Sequence, residues 1–521
     1  MAKRRDELAA YTFARKRTVA AFLAPSPGGS EEGAPRPVRT VMPSLAIGVV
    51  LVIGFIAWGV IKPTAPKGWD TPGEHIIVDS DSTTRYVVLD PNPKDSKVEK
   101  VLHPVLNYAS AKLLLDKGKG SVLEVPGKEI DKSGIRHGAT IGIPYAPDRL
   151  PSKEDAEKTK TWAVCERPAP GSKAAIDRAV FVFDDSDAKS LESTGKVDPR
   201  EALYVTDSRT KAEYLVDSRG NRFLLGGKSG LDETSMEQLR SAVIGSSATT
   251  DPQPVSQEWL NTLNDGGDIT FPVVPGAGGR TSVQGLPAEA GTIGQVLRAR
   301  DAQGEQFYIV LKDKVAAVSP FVAALLVARD ENGAMQVETR VVIEANGGRA
   351  DRFYADKGWP EIVPRQANSA NPTTGAAART SCSVYKGTFG ADRKPSLAAW
   401  AGADYPKKVI TDSLSAYVSS GSGLLFKEVA GTAAGGGATY LLTDTGLRYS
   451  LPKGNDSEAQ NPAASAGGGS SQGEASETDK ARTRLGYEDL NQPAIVPQTW
   501  ATFIPKGPML DTAGASQPQS Q

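Results

Sequence analysis

The sequence predicts an α+β chain: a single N-terminal transmembrane helix, then an elongated exported domain of four small β-hairpin/helix repeats around a central β domain. Three observations carry that expectation. The stretch Thr40 to Ile61, TVMPSLAIGVVLVIGFIAWGVI, is free of charged residues, and about 20 such residues of helix cross a hydrocarbon core of about 30 Å. Four later segments share a tyrosine followed by aliphatic residues, a polar turn and a second apolar run. Gly (53) and Pro (36) are abundant while helix-period patterns are scarce, which favours many short strands and turns.

Residues 1–39 form a basic tail. Lys3, Arg4, Arg5, Arg15, Lys16, Arg17, Arg36 and Arg39 outweigh Asp6, Glu7, Glu31 and Glu32. Positive flanks stay in the cytoplasm, so the tail is expected inside and the bulk of the chain outside the membrane. A cleaved signal peptide has an apolar core of about 7–15 residues behind a short basic start. The longer core here, behind a longer tail, fits a retained anchor over 40–61. Leu8, Tyr11, Phe13, Val19, Phe22 and Leu23, mixed with Arg15, Lys16 and Arg17, fit an amphipathic helix on the inner leaflet or against a partner. A basic topogenic tail with no partner fits equally. Ser26, Pro27, Gly28 and Gly29 end the periodic stretch, and residues 62–75 link the anchor to the exported domain.

The roughly 460 residues beyond the anchor exceed what one core organises. The first repeat, 76–150, carries Tyr86-Val87-Val88-Leu89, Val105-Leu106 and the helical run Ser110 to Leu115. The second, 201–260, carries Tyr214-Leu215-Val216-Asp217, a turn at Ser218-Arg219-Gly220-Asn221, Phe223-Leu224-Leu225 and a helix from Ser235 to Ile244. The third, 285–344, carries Tyr308-Ile309-Val310-Leu311, a turn at Lys312-Asp313-Lys314, the run Val315 to Val318 and a helix over Pro320 to Ala328. The fourth, 431–510, carries Tyr440-Leu441-Leu442-Thr443, a turn at Asp444-Thr445-Gly446 and the run Leu447 to Leu451. Such turns between alternating runs are hairpin signals, and each helix would cover one face of a small sheet. The spacing is too irregular for a solenoid.

Residues 151–200 and 345–430 lie outside the repeats and make the central domain. They hold Cys165 and Cys382, the two cysteines of the chain. An even pair in an oxidising compartment is normally a disulfide; two separate buried thiols are the alternative. Gly454 to Lys480 is polar and Gly/Ser/Ala-rich, too poor in aliphatic residues to order itself, and interrupts the fourth repeat before a helix expected near Leu485 to Leu490. Residues 511–521 are expected to be disordered too. The formal net charge of −1 does not suggest a nucleic-acid partner.

The ordered set of motifs resembles the EccB family, a membrane component of the type VII (ESX) secretion system. The residues that carry the likeness are Tyr11-Thr12-Phe13 and Arg15-Lys16-Arg17, the span ending in Lys62-Pro63, and Pro104-Val105-Leu106-Asn107 with Ser110 to Leu114. Gly142-Ile143-Pro144-Tyr145-Ala146-Pro147, Trp162-Ala163-Val164-Cys165 and Gly294-Gln295-Val296-Leu297 come next. Gln306 to Leu311, Cys382 and Pro505-Lys506-Gly507-Pro508 complete the set. The resemblance implies four repeats like a phage-lysin wall-binding module around a central β domain with a disulfide. It also implies association with the membrane components EccC, EccD and EccE. Two departures stand out: Lys314 where the family favours Gly, and the insertion at 454–480.

A search for chemistry yields little, and no cofactor or metal is expected. His75, His103 and His137 are far apart in sequence, with no metal-ligand spacing. Gly469-Ser470-Ser471-Gln472-Gly473 has the letters of a serine nucleophile elbow but lies in the loose insertion, without the strand and helix an elbow needs. Members of the resembled family have been labelled ATPases. The weak nucleotide candidate is Lys228 with Ser229 in Gly226-Gly227-Lys228-Ser229; a phosphate loop needs Gly at the position held by Arg222. That segment reads as a turn with a helix start at Ser229 or Asp232. Asp184, Asp185 and Asp187 lack the Gly and terminal Glu of a calcium loop and read as a solvated acidic turn. The Gly-rich stretches Pro275 to Gly279 and Gly435 to Gly437 read as connectors.

A chain with many small sheets and no catalytic cluster offers surface rather than chemistry. The expected function is a structural core subunit of a secretion membrane complex, self-associating as a dimer or higher. A wall-binding anchor and a nucleotide hydrolase are the alternatives.

Overall fold

The structure, a computed structural model, describes residues 4–23, 37–61, 65–91, 99–169, 175–193, 195–244, 252–301, 304–329, 333–337, 342, 352–368, 380–408, 415–430, 437–452, 477–490 and 492–519. Most of the insertion 454–480 lies outside the described residues. The fold is mixed α+β, with five small sheets among the described residues.

Helix α1 spans Arg4–Leu23. Leu8, Tyr11, Val19 and Phe22 are exposed and recur at helical spacing, but Arg15 stands in the same row, so the apolar face is interrupted. Helix α2 spans Pro37–Ile61. Its described side chains, Met42 to Phe55, are exposed. Among the described residues no helix is long and apolar enough to cross a membrane.

The first sheet contains β1 (His75–Asp79), β2 (Arg85–Leu89), β3 (Val101–Pro104), β4 (Ser121–Val125) and β5 (Arg136–His137), in the order β4-β1-β2-β3-β5. Its helix α3 (Tyr108–Leu114) starts at Asn107, whose side chain accepts the Ser110 N–H; α4 (Gly127–Lys132) follows β4. Helix α5 (Lys153–Glu157) leads to β6 (Thr161–Pro168) and β7 (Ile176–Phe183), and α6 (Lys189–Ser193) follows them.

The second sheet is built from β8 (Glu201–Asp207), β9 (Glu213–Asp217), β10 (Asn221–Leu225), β11 (Gln253–Val255) and β12 (Asn264–Ile269), with α7 (Glu233–Ile244) and α8 (Gln257–Leu260) between them. The third has β13 (Val296–Asp301), β14 (Gly304–Val310), β15 (Val315–Val318), helix α9 (Pro320–Val327) and β16 (Met335–Gln336). Strand β17 (Arg365–Gln366) joins the edge of β8. Strands β18 (Thr380–Phe389), β19 (Pro395–Gly402) and β20 (Ser415–Val418) return to β6 and β7, in the order β19-β18-β6-β7-β20. The last sheet holds β21 (Leu424–Val429), β22 (Thr439–Leu442), β23 (Arg448–Ser450) and β24 (Ala494–Pro497).

Four of the five sheets share one plan. The first strand pairs antiparallel with the second and parallel with the fourth, and the third pairs with the second: β4-β1-β2-β3, β11-β8-β9-β10, β16-β13-β14-β15 and β24-β21-β22-β23. The first two also repeat a turn. Thr83 and Lys211 both take left-handed φ values of 61° and 64°. Their N–H groups donate to Asp79 O (2.8 Å) and Asp207 O (2.9 Å). Such a conformation costs a non-glycine residue about 1 kcal/mol, so finding it twice at equivalent places marks one local design used twice.

Three sequence expectations are corrected, and the departure at Lys314 is accounted for. Residues 424–429, expected in the central domain, form the first strand of the fourth sheet; the glycine stretch after them, read as a connector, hid the hairpin. The helix expected near Leu485 to Leu490 is Glu477–Leu485, so residues 477–480 are helical rather than loose. The tail expected to be disordered contains a helix, Thr512–Ser516. Lys314 is not among the residues of positive φ, so its turn needs no glycine. It closes instead by a hydrogen bond from Leu311 N–H to Lys314 O of 2.8 Å.

Three apolar cores cross between sheets. One holds Trp162 and Tyr385 of the central sheet, Leu203 and Trp259 of the second, and Phe426 and Trp500 of the fourth. Another joins the second and third sheets through Leu239 and Val243 of α7 against Val322 and Leu325 of α9. A third joins the first and fourth through Leu113 of α3 with Leu441 and Tyr449. The first sheet therefore meets the fourth, the fourth, central and second share one core, and the second meets the third, a set of neighbours that differs from chain order.

Candidate functional site

Strands β6, β7 and β18 position the most elaborate polar site of the described residues, at the junction of the central, second and fourth sheets. Glu166 on β6 stands directly across from Arg178 on β7. Glu166 is fully buried. Its Oε1 accepts from Arg178 Nε at 2.7 Å and from Ser256 Oγ at 2.6 Å, and its Oε2 accepts from Ser256 N at 2.7 Å. Ser256 is the N-cap of α8, its Oγ accepting the Trp259 N–H. The Arg178 guanidinium lies 4.9 Å over the Phe503 ring, from the fourth-sheet region. A buried carboxylate held by three charge-assisted hydrogen bonds from two residues ties the central sheet to the second, and Arg178 stacked on Phe503 extends the junction to the fourth.

The neighbouring bonds serve the same end. Trp259 Nε1 donates to Val164 O (2.9 Å), Trp500 Nε1 to Thr262 O (3.2 Å) and Tyr385 Oη to Ile495 O (2.8 Å). Each crosses from one sheet's region to another. Asn368 exchanges hydrogen bonds with the Tyr204 backbone, and Ser381 Oγ donates to Gln253 Oε1 at 2.8 Å. On the side of the first sheet, Asp155 of α5 accepts from Lys160 Nζ (2.8 Å) and from Gly423 N (2.7 Å). Burial opposes ionisation of Asp155, but the Lys160 ammonium and the Gly423 N–H outweigh it and hold its pKa below the usual carboxylate range. Arg448, buried, pairs with Glu428, donates to Ile504 O at 3.0 Å and lies 4.7 Å over Tyr440.

Cys165 and Cys382 form a disulfide between directly opposed residues of β6 and β18. It closes the central sheet around everything between them, including the second and third sheets.

The nucleotide candidate does not form a cradle. Gly226 N–H donates to Ile269 O and Gly230 N–H to Gly227 O, so these groups are already bonded within the protein. Lys228 and Ser229 are exposed. Arg222, where a phosphate loop needs glycine, donates to Leu260 O at 2.6 Å. The helix begins at Glu233, capped by the Asp232 carboxylate, which accepts Ser235 N at 3.0 Å, and not at Ser229. β10 before it pairs antiparallel with β9 in a hairpin and also parallel with β12, which follows α7 and α8.

Asp184 Oδ1 accepts from Ser186 N and Asp187 N in a closed acidic turn. Asp187 turns away to Lys407 (2.8 Å), Tyr417 (2.8 Å) and Ser419 (2.7 Å). Burial raises its pKa, and these donors more than reverse the effect. His75 meets Ser121 Oγ, His103 meets Ala139 O, and His137 sits edge-on to Tyr86. Among the described residues no group of three or more His, Cys, Asp or Glu is placed to hold a metal ion. Ser471 lies outside the described residues. A cavity of about 550 Å³ between the second and third sheets is lined by Glu201, Asp217, Arg219, Arg352, Tyr354 and Trp359, among others. Its arginines are already paired, Arg219 with Asp217 and Arg352 with Glu361.

Sequence reasoning found the cysteines and the hairpins but missed Glu166, Arg178, Ser256 and Asp155. Glu166, directly after Cys165 in an apolar strand, was the available signal.

Comparison with known proteins gives a consistent result. The family described as "Type VII secretion system ESX-1, transport TM domain B" matches residues 2–520. The ESX-3 secretion system ATPase EccB3 of Mycobacterium tuberculosis (strain ATCC 25618 / H37Rv) is 27% identical over 512 residues, 92% of this chain and 83% of that protein. The ESX-1 secretion system ATPase EccB1 of Mycolicibacterium smegmatis (strain MKD8) is 30% identical over 311 residues, and the match spans 58% of each protein. Among solved structures, a chain of the intact ESX-5 inner membrane complex matches with a TM-score of 0.57 at 19% identity, covering 100% of this chain and 96% of that one. The EccB3 dimer from the ESX-3 core complex matches with a TM-score of 0.56 at 22% identity, covering 85% of this chain and 99% of that one.

Proposed function

The chain belongs to the EccB family of type VII secretion systems, and from that membership we propose that it is a structural subunit of a membrane complex that exports proteins. The observation that carries the proposal is where its buried charges lie. Glu166–Arg178 reaches Ser256 of the second sheet, Asp155–Lys160 reaches Gly423 beside the fourth, and Arg448–Glu428 ties two strands within the fourth sheet. None of them converges on an open cleft with a nucleophile. A polar interior arranged in this way supports a rigid scaffold.

In this proposal the four like sheets are copies of one module, set around the disulfide-bonded central sheet. Residues 40–61 cross the membrane once, with the basic tail inside and the modules outside. The uncharged run and the basic flank support that topology. EccC, EccD and EccE are the proposed membrane partners, and the chain associates with itself as a dimer or higher. Solubilising membranes in a mild detergent and capturing the full-length chain tests this. Recovery within a large assembly containing those partners is expected; recovery of the chain alone overturns the proposal.

The name ATPase carried by the relatives keeps a second reading in view. If this chain hydrolyses Mg-ATP through the Lys228 loop, Lys228→Ala abolishes the activity. The bonded glycine amides of that loop favour no effect.

A further inference from the structure

Segment 511–519 has the composition of a coil (DTAGASQPQ), yet it is ordered against the first sheet. It is too poor in large apolar side chains to order itself, so its order is borrowed from what it touches. The contacts form a built groove. Asp511 caps a short helix by accepting the Gly514 N–H. Ala515 is fully buried in the core that contains Ala109 and Leu113 of α3 and Ile143. A Cβ on Gly514 would meet Asp511 Oδ1 at 3.2 Å and Ile143 Cγ1 at 3.4 Å, so the helical turn lies in van der Waals contact with Ile143. Beyond the helix the chain lies alongside residues 140–142 through one antiparallel bridge and two hydrogen bonds. Ile141 bridges Val105 in parallel on one side and Pro518 in antiparallel on the other. Gln519 N–H donates to Thr140 O (2.9 Å) and Gln519 Nε2 to Gly142 O (2.6 Å). Thr512 ties the near end by donating from N to Glu477 Oε1 at 3.1 Å.

We propose that the first sheet carries a peptide-docking groove, between α3 and the 140–142 strand edge, and that segment 511–519 is a detachable strap filling it in cis. The occupant is a small-residue turn of helix followed by an extended Pro-Gln step, recognised by main-chain pairing and by one small buried side chain. This is strand addition with an intramolecular ligand. When the strap leaves, the edge at 140–142 is open, and an open strand edge is a template for pairing. The strap therefore controls whether that edge is available.

The test uses the full-length chain in detergent and a version stopped after Leu510. A labelled synthetic peptide of residues 511–519 is expected to bind the shortened chain saturably and one to one, and to bind the full chain at least about tenfold more weakly, because the groove is filled. The same peptide with Ala515→Arg is expected not to bind. In the full chain, Ala515→Arg is expected to speed hydrogen exchange over residues 139–146 by about tenfold while β6 and β18 keep their protection. A folded shortened chain that ignores the peptide overturns the proposal. So does equal binding by full and shortened chains, or a shortened chain that fails to fold, which would make the segment part of the core rather than a strap.

Discussion

Replacing Arg178 with methionine removes the countercharge of a carboxylate that water cannot reach. Glu166 would keep its two bonds from Ser256 but lose the Arg178 Nε bond at 2.7 Å and the neutralising charge. Breaking a buried pair from one side costs roughly 3–5 kcal/mol. Two bonds survive and Arg178 is only partly buried, which places this case near 3 kcal/mol on that scale. Glu166→Leu is milder. It leaves the Ser256 N–H without an acceptor while Arg178 turns to Glu258, now 3.7 Å away, and an orphaned donor costs about 1–3 kcal/mol. In the double variant no ion is left buried alone, so it should be less destabilised than Arg178→Met by itself. Urea unfolding of the purified chain, followed by the fluorescence of the buried Trp162, Trp259 and Trp500, measures all three. The predicted order of midpoints is wild type, then double variant, then Arg178→Met lowest. Equal midpoints for wild type and Arg178→Met, or a double variant as unstable as the two singles added together, would refute the claim that this pair holds the junction.

Other expectations rest on the same contacts. Asp155 has a lowered folded-state pKa, so its contribution is complete above the ordinary aspartate value of 3.8 and fades as pH falls through the lower folded value. The difference in urea midpoint between wild type and Asp155→Asn should be constant from pH 8 to about 5 and shrink only in stronger acid. Removing the disulfide with Cys165→Ala and Cys382→Ala frees a loop of sequence separation 217, worth about 5 kcal/mol in the chain-entropy treatment. Denaturant unfolding should show that loss in the central sheet, and reduction of the wild type should reproduce it. Lys228→Ala should leave unfolding and complex capture unchanged, since the side chain is exposed.

The hairpins were legible because each alternates over a turn with its own signal: Gly220 at φ 72° and Gly446 at φ 77° occupy the turns where the letters placed them. The strands that complete each sheet were not legible. β4, β11 and β24 pair in parallel with the first strand of their sheet across long connections, and no local pattern encodes a parallel partner. Of the four hairpin tyrosines, Tyr440 is buried, while Tyr86, Tyr214 and Tyr308 are half-buried rather than in the core. The ordering of Thr512–Ser516 escaped composition because the apolar surface that orders it belongs to α3, about four hundred residues earlier. The junction at Glu166 escaped because its partners, Arg178 and Ser256, come from other strands and helices, and tertiary contact alone assembles them.

The most direct test of the scaffold account is the mass of the particle that contains this chain after gentle extraction from its native membrane. Gel filtration with identification of the co-eluting proteins should find it in one large particle with the other secretion components, and Arg178→Met should shift it towards smaller species. Elution of the wild-type chain as a free monomer, with those components elsewhere, would contradict the account.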